Sequence, residues 1–82
     1  MSDKLNIPIL EIKGEYIELC KLLKLENWVA AGGEAKHVIS EGYVYLNGEV
    51  ETRKRKKIFN GDIVEFQDET VRVVTKPGQQ VS

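Results

Sequence analysis

The chain has 82 residues, 41% of them apolar, which suffices for one small domain and leaves too few side chains for a multi-domain enzyme or a large enclosed active-site cavity. Its 12 Lys and Arg nearly balance 13 Asp and Glu, so a net charge of −1 argues against binding nucleic acid by bulk electrostatics and shifts the question to where the charge lies. A single cysteine excludes an intramolecular disulfide, and no apolar run is long enough for a membrane span or a secretory signal, so a soluble cytoplasmic protein is expected.

Residues 1–6 are polar and read as a loose terminus. Ile7-Pro8-Ile9-Leu10-Glu11-Ile12 reads as a short strand that Gly14 ends, with Pro8 on an edge or at the start because it cannot donate to a ladder. Glu15 to Leu25 reads as a first helix. Leu19, Leu22 and Leu23 follow its three-and-four spacing, with Glu15 and Glu18 near its start and Lys21 and Lys24 near its end, as the helix dipole favours. Asn27 to Gly33 reads as a connector whose Trp28, Val29, Ala30 and Ala31 pack inward and whose Gly32-Gly33 breaks any helix.

Glu34 to Glu41 reads as a second helix burying Ala35, Val38 and Ile39, and Gly42 stands where a helix-ending glycine belongs. Tyr43 to Leu46 is a strand, Asn47-Gly48 a hairpin turn with positive φ at both residues, and Glu49 to Glu51 the returning strand. Thr52 to Lys57 reads as a polar loop and Asn60-Gly61-Asp62 as a second turn. Ile63–Phe66 and Val71–Val74 are further strands, joined by the polar link 67–70. Residues 77–82 read as a flexible tail, leaving 1–76 as one domain. The element order implies an α+β fold, two short helices packed on a small, mostly antiparallel sheet.

One segment carries chemistry. Arg53-Lys54-Arg55-Lys56-Lys57 holds five of the twelve basic residues, +5 locally against −1 overall. A solvated loop is the bland alternative. Crowded like charges inside a compact domain repel, however, and phosphate oxygens relieve that repulsion through charge-assisted bonds. Lys36 and His37 on the second helix are a weaker signal, and they join the patch if the hairpin folds the 53–57 loop back beside them. Cys20 reads as a buried thiol. His37 is the only histidine, so neither a metal site nor a catalytic triad finds its partners, and no catalytic residue, metal or cofactor is expected. The carboxylates read as surface. Tyr43 and Tyr45 share a strand face, open to base stacking or to none.

The residues Leu19 to Leu23, then Gly33-Glu34-Ala35-Lys36-His37-Val38-Ile39-Ser40-Glu41-Gly42-Tyr43-Val44-Tyr45-Leu46-Asn47-Gly48, then Asn60-Gly61-Asp62-Ile63-Val64 resemble the RNA-binding domain of the small-subunit ribosomal protein S-four. That module, the αL motif, is shared with RNA pseudouridine synthases, tyrosyl-tRNA synthetases and a heat-shock RNA-binding protein. The resemblance spans about residues 15–66. It implies binding of structured RNA, rRNA or tRNA-like, through basic residues on the second helix and in the loop after the Asn-Gly turn. Carried over, Lys36 and His37 match the paired basic positions, Lys21 a frequent Lys of the first helix, and Arg53, Lys54, Arg55, Lys56 and Lys57 the basic loop. The chain departs from the pattern at Ala31-Gly32, where Ser-Arg is usual, and at Glu18, near a usual Arg. The synthases' catalytic domain has no counterpart here, so a bacterial, non-enzymatic RNA-binding module is expected. The rivals are a protein-interaction adaptor and an RNA-gripping subunit of a ribosome-associated or RNA-modifying complex.

Overall fold

A computed structural model describes residues 7–76, so the expectations for 1–6 and for a tail at 77–82 lie outside the described residues. The chain runs β1 (Ile9–Lys13), β2 (Tyr16–Glu18), α1 (Leu19–Leu25), α2 (Gly32–Ser40), β3 (Val44–Leu46), β4 (Glu49–Val50), β5 (Lys57–Phe59), β6 (Ile63–Phe66) and β7 (Glu69–Lys76). Five strands form one sheet in the order β1-β7-β6-β3-β4, with β1 parallel to β7 and the remaining pairs antiparallel; β2 and β5 form a separate two-stranded ribbon. Period-two alternation turns Ile12, Val44, Val64, Phe66, Val71 and Val73 inward. They form one apolar cluster with Leu19, Leu22 and Leu23 of α1 and Ala35, Val38 and Ile39 of α2. The fold is therefore α+β, with two helices on a mixed, mostly antiparallel sheet.

The α1 boundary differs from expectation. Tyr16-Ile17-Glu18 is a strand, and the helix begins at Leu19. The reason is a distant partner: Tyr16, Ile17 and Glu18 pair in antiparallel register with Phe59, Ile58 and Lys57. Ile58 is fully buried on the inner side of this ribbon. On its outer side the Tyr16 and Phe59 rings lie 5.8 Å apart, with Lys57 Nζ 4.9 Å from the Tyr16 ring centre. Lys57 thus belongs to a strand, not to the loop, and no acidic residue occupies the first turn of α1.

Three smaller corrections concern the helix connection and the last strand. Val29 is buried and Trp28 half-buried, its ring 6.2 Å from that of Phe66, but Ala30 and Ala31 are exposed. Gly32 and Gly33 form the first turn of α2 instead of interrupting the chain before it; glycine weakens a helix only by backbone entropy, about 0.5–1 kcal/mol each relative to alanine, and burial of Ala35, Val38 and Ile39 offsets that. Strand β7 is longer than Val71–Val74, and only Gln67 and Asp68 remain as its turn.

The turns follow the sequence. Asn47 (φ 52°) and Gly48 (φ 89°) are both left-handed, as a type I′ hairpin requires, and Gly42 closes α2 at φ 84°. Asn47 also bonds outward: its Nδ2 donates to Asp62 Oδ1 (3.1 Å), and its Oδ1 accepts from the Ile63 N–H (2.9 Å). Asp62 Oδ2 accepts from the Phe59 N–H at 2.8 Å. The Asn-Gly and Asn-Gly-Asp segments are therefore one bonded unit that fixes the hairpin against the β5–β6 turn.

Candidate nucleic-acid interface

Helix α1 begins without a side-chain cap. Its first amides are satisfied by the basic loop instead: the Leu19 N–H donates to the Lys56 carbonyl (2.9 Å) and the Cys20 N–H to the Lys54 carbonyl (3.0 Å). The loop itself turns through the Lys56 N–H, which donates to the Arg53 carbonyl at 3.1 Å. This backbone union brings residues 52–55 beside both helices, although the sequence between loop and helices holds the whole β3–β4 hairpin.

The result is a groove. Gly33, Lys36, His37 and Ser40 of α2 face Thr52, Arg53, Lys54 and Arg55 across a concavity of about 560 Å³. A second concavity, of about 470 Å³, shares Lys36, Lys54 and Arg55 and adds Glu18, Cys20, Lys21, Lys24 and Gly32. Lys21, Lys24, Lys36 and Lys54 make no ion pair among the described residues. Arg55 lies 3.9 Å from Glu18, too far for a hydrogen bond. Gly32 and Gly33 place the positive end of the α2 dipole at the groove, beside the Lys24 side chain, while Glu34 of the same turn accepts from the Ala30 N–H at 3.0 Å. Six Lys and Arg side chains and a helix terminus thus converge in a chain of net charge −1, and all but Arg53 lack a carboxylate within hydrogen-bond distance among the described residues.

Arg53 stands apart electrostatically. Its backbone N–H and Nε both donate to Glu51 Oε2 (2.9 and 2.8 Å), and Nη2 donates to Glu51 Oε1 (3.1 Å). The Glu51 side chain is only 11% exposed, whereas that of Arg53 is 70% exposed. The guanidinium bonds hold the Glu51 carboxyl below the usual carboxylate range, against the opposing effect of burial. Glu51 is a structural carboxylate that sequence reasoning placed on the surface.

Of the sequence candidates, Lys21, Lys36, His37, Arg53, Lys54 and Arg55 line the groove. Two do not. Lys56 lies in a third depression with Asn47, Glu49 and Glu51, and Lys57 sits over Tyr16. Lys24 also lines the groove and was not among the sequence candidates, although its place one turn after Lys21 on α1 was a usable signal. Cys20 is half-buried at the groove wall rather than sealed in the core. Tyr43 and Tyr45 are 55% and 41% exposed.

Comparison with known proteins gives a consistent family. The model of the S4 domain matches residues 10–74. The chain is 52% identical over 62 residues to YbcJ of Escherichia coli (strain K12), an alignment covering 76% of this chain and 89% of that protein. It is 38% identical over 58 residues to RlbA of Bacillus subtilis (strain 168), named a probable ribosome maturation protein, covering 71% of this chain and 82% of that one. The solution structure of E. coli YbcJ, described as an αL motif involved in RNA binding, superposes with a TM-score of 0.64 at 47% identity, covering 84% of this chain and 89% of that chain.

Proposed function

The chain belongs to the S4 domain family, and from that membership we propose that it is a non-enzymatic RNA-binding protein that grips the phosphate backbone of structured RNA. The grip is the groove lined by Lys21, Lys24, Lys36, Lys54 and Arg55. The observation that carries this reading is the convergence of cations from two distant stretches of a slightly acidic chain on one concave surface. Each such cation can bind a phosphate oxygen and release a condensed counterion, which makes local density more important than net charge. The description of the YbcJ structure supports RNA as the partner, and the name of RlbA supports the RNA of a ribosomal particle or its precursor.

Lysines on phosphates set position and affinity but carry no sequence information; A-form duplexes are recognised mostly by shape and backbone, and sequence is read mainly at single-stranded bulges and loops. The experiment is a gel-shift titration of a structured ribosomal RNA fragment at low salt, with the parent chain and with Lys36→Glu combined with Lys54→Glu. Binding by the parent and its loss in the variant are expected. A parent that retards no structured RNA, or a charge-reversed variant that binds as tightly, defeats the reading and leaves the adaptor role as its replacement.

A further inference from the structure

Arg53 is the first residue of the basic run and the one whose charge is already spent. Its guanidinium is held in a fork by Glu51, and the same carboxylate accepts the Arg53 backbone N–H. The Arg53 carbonyl then accepts from the Lys56 N–H, and the Lys54 and Lys56 carbonyls accept the first two amides of α1. At the other end, the Glu51 backbone N–H donates to the Val44 carbonyl at 2.9 Å, which anchors the carboxylate to the central sheet. A continuous chain of hydrogen bonds thus runs from strand β3 through Glu51, Arg53 and the loop to the start of α1.

We propose that Glu51 and Arg53 form an internal clip that pre-shapes the groove, Glu51 acting as a positioning residue and Arg53 as a strut, not a phosphate ligand. The proposal rests on the groove being the RNA site. Its physical content is charge neutrality and order. The Glu51–Arg53 pair carries no net charge, so it adds no counterion release when RNA binds. Holding the loop in its bound shape beforehand removes an ordering cost that RNA would otherwise have to meet.

Two variants separate this from a purely electrostatic account. Glu51→Gln removes a carboxylate from beside the groove and raises the net charge by one; electrostatics alone predicts tighter RNA binding. The clip predicts binding weaker by about fivefold or more, the equivalent of re-ordering one residue's backbone. Arg53→Lys keeps the charge and loses the planar fork; electrostatics predicts no change, and the clip predicts a loss in the same direction. Because the clip acts before RNA arrives, amide hydrogen exchange of Leu19 and Cys20 in RNA-free protein should quicken in both variants, while amides of β6 and β7 keep their protection. That exchange readout tests the clip even if the parent binds no RNA, so the two readings fail separately. Unchanged Leu19 and Cys20 exchange in Arg53→Lys, or RNA binding by Glu51→Gln that equals or exceeds the parent's, overturns the proposal. Should Glu51→Gln fail to fold, Arg53→Lys alone decides it by the same two measurements.

Discussion

The salt dependence of RNA binding is the quantity in which the groove shows most directly. Lys21, Lys24, Lys36, Lys54 and Arg55 line it, Arg53 is neutralised by Glu51, and Lys56 and Lys57 face elsewhere. With each free cation neutralising one phosphate, the log–log slope of affinity against salt is about −4.5 at roughly −0.9 per phosphate, the duplex value. Counting Arg55 as shared with Glu18 reduces this to about −3.6. Raising salt fourfold, from about 50 to about 200 mM, should then weaken binding by roughly 150- to 500-fold. Lys36→Ala and Lys54→Ala should each flatten the slope by about 0.9. Lys56→Ala and Lys57→Ala should leave it unaltered, although they remove the same charge from the same run. The assay is fluorescence anisotropy of a labelled RNA hairpin at four or more potassium chloride concentrations. A parent slope shallower than about −2, or equal flattening by Lys57→Ala and Lys54→Ala, would refute the assignment of the groove.

Ile58 is fully buried in the ribbon that carries the basic loop, so Ile58→Ala should cost about 2–5 kcal/mol in urea unfolding followed by Trp28 fluorescence. A domain of this size has a total stability of roughly 4–12 kcal/mol, so a loss below about 1 kcal/mol would show that the ribbon is not sealed against the core. The Glu51 carboxyl has a folded pKa below its ordinary value of 4.5, because the Arg53 guanidinium bonds the charged form. The stability this gives is complete above the unfolded pKa and is lost as pH falls through the lowered folded one. Acid unfolding curves of parent and Glu51→Gln should therefore differ most near neutral pH and converge in acid; curves that stay parallel to low pH would contradict the bonded geometry.

Local chemistry made some elements legible. Gly42, Asn47 and Gly48 announce left-handed backbone by residue type, and Ala35, Val38 and Ile39 mark the buried stripe of α2 by spacing alone. The Asn47 and Asp62 motifs carried the family resemblance, and the structure supplies the reason, since the two side chains bond each other across the hairpin. The elements misread are those whose partner is remote. Tyr16-Ile17-Glu18 continues smoothly into a helical pattern, and only its pairing with Lys57-Ile58-Phe59 makes it a strand. That partner strand was hidden in turn, because it is three residues long and begins inside a run of charges. The groove followed the same rule. Its α2 and loop residues were legible singly, but Lys24 and the silent role of Arg53 depend on how α1 and Glu51 meet the loop in space.

The parallel pairing of β1 with β7 has a mechanical consequence. Residues 9 and 76 lie at opposite ends of one ladder, whose register runs from Ile9 beside Arg72 to Lys13 beside Lys76. A force drawing these two points apart loads the ladder in shear, so its hydrogen bonds resist together instead of parting one after another as in a hairpin pulled at its open end. The Lys76–Glu11 ion pair and the Arg72 amide bonded to the Pro8 carbonyl reinforce the two ends of that seam. The same closure joins strands separated by almost the entire described chain, which raises contact order and the loop-closure entropy that folding must overcome. The domain therefore gains tensile strength from its pairing of longest sequence separation.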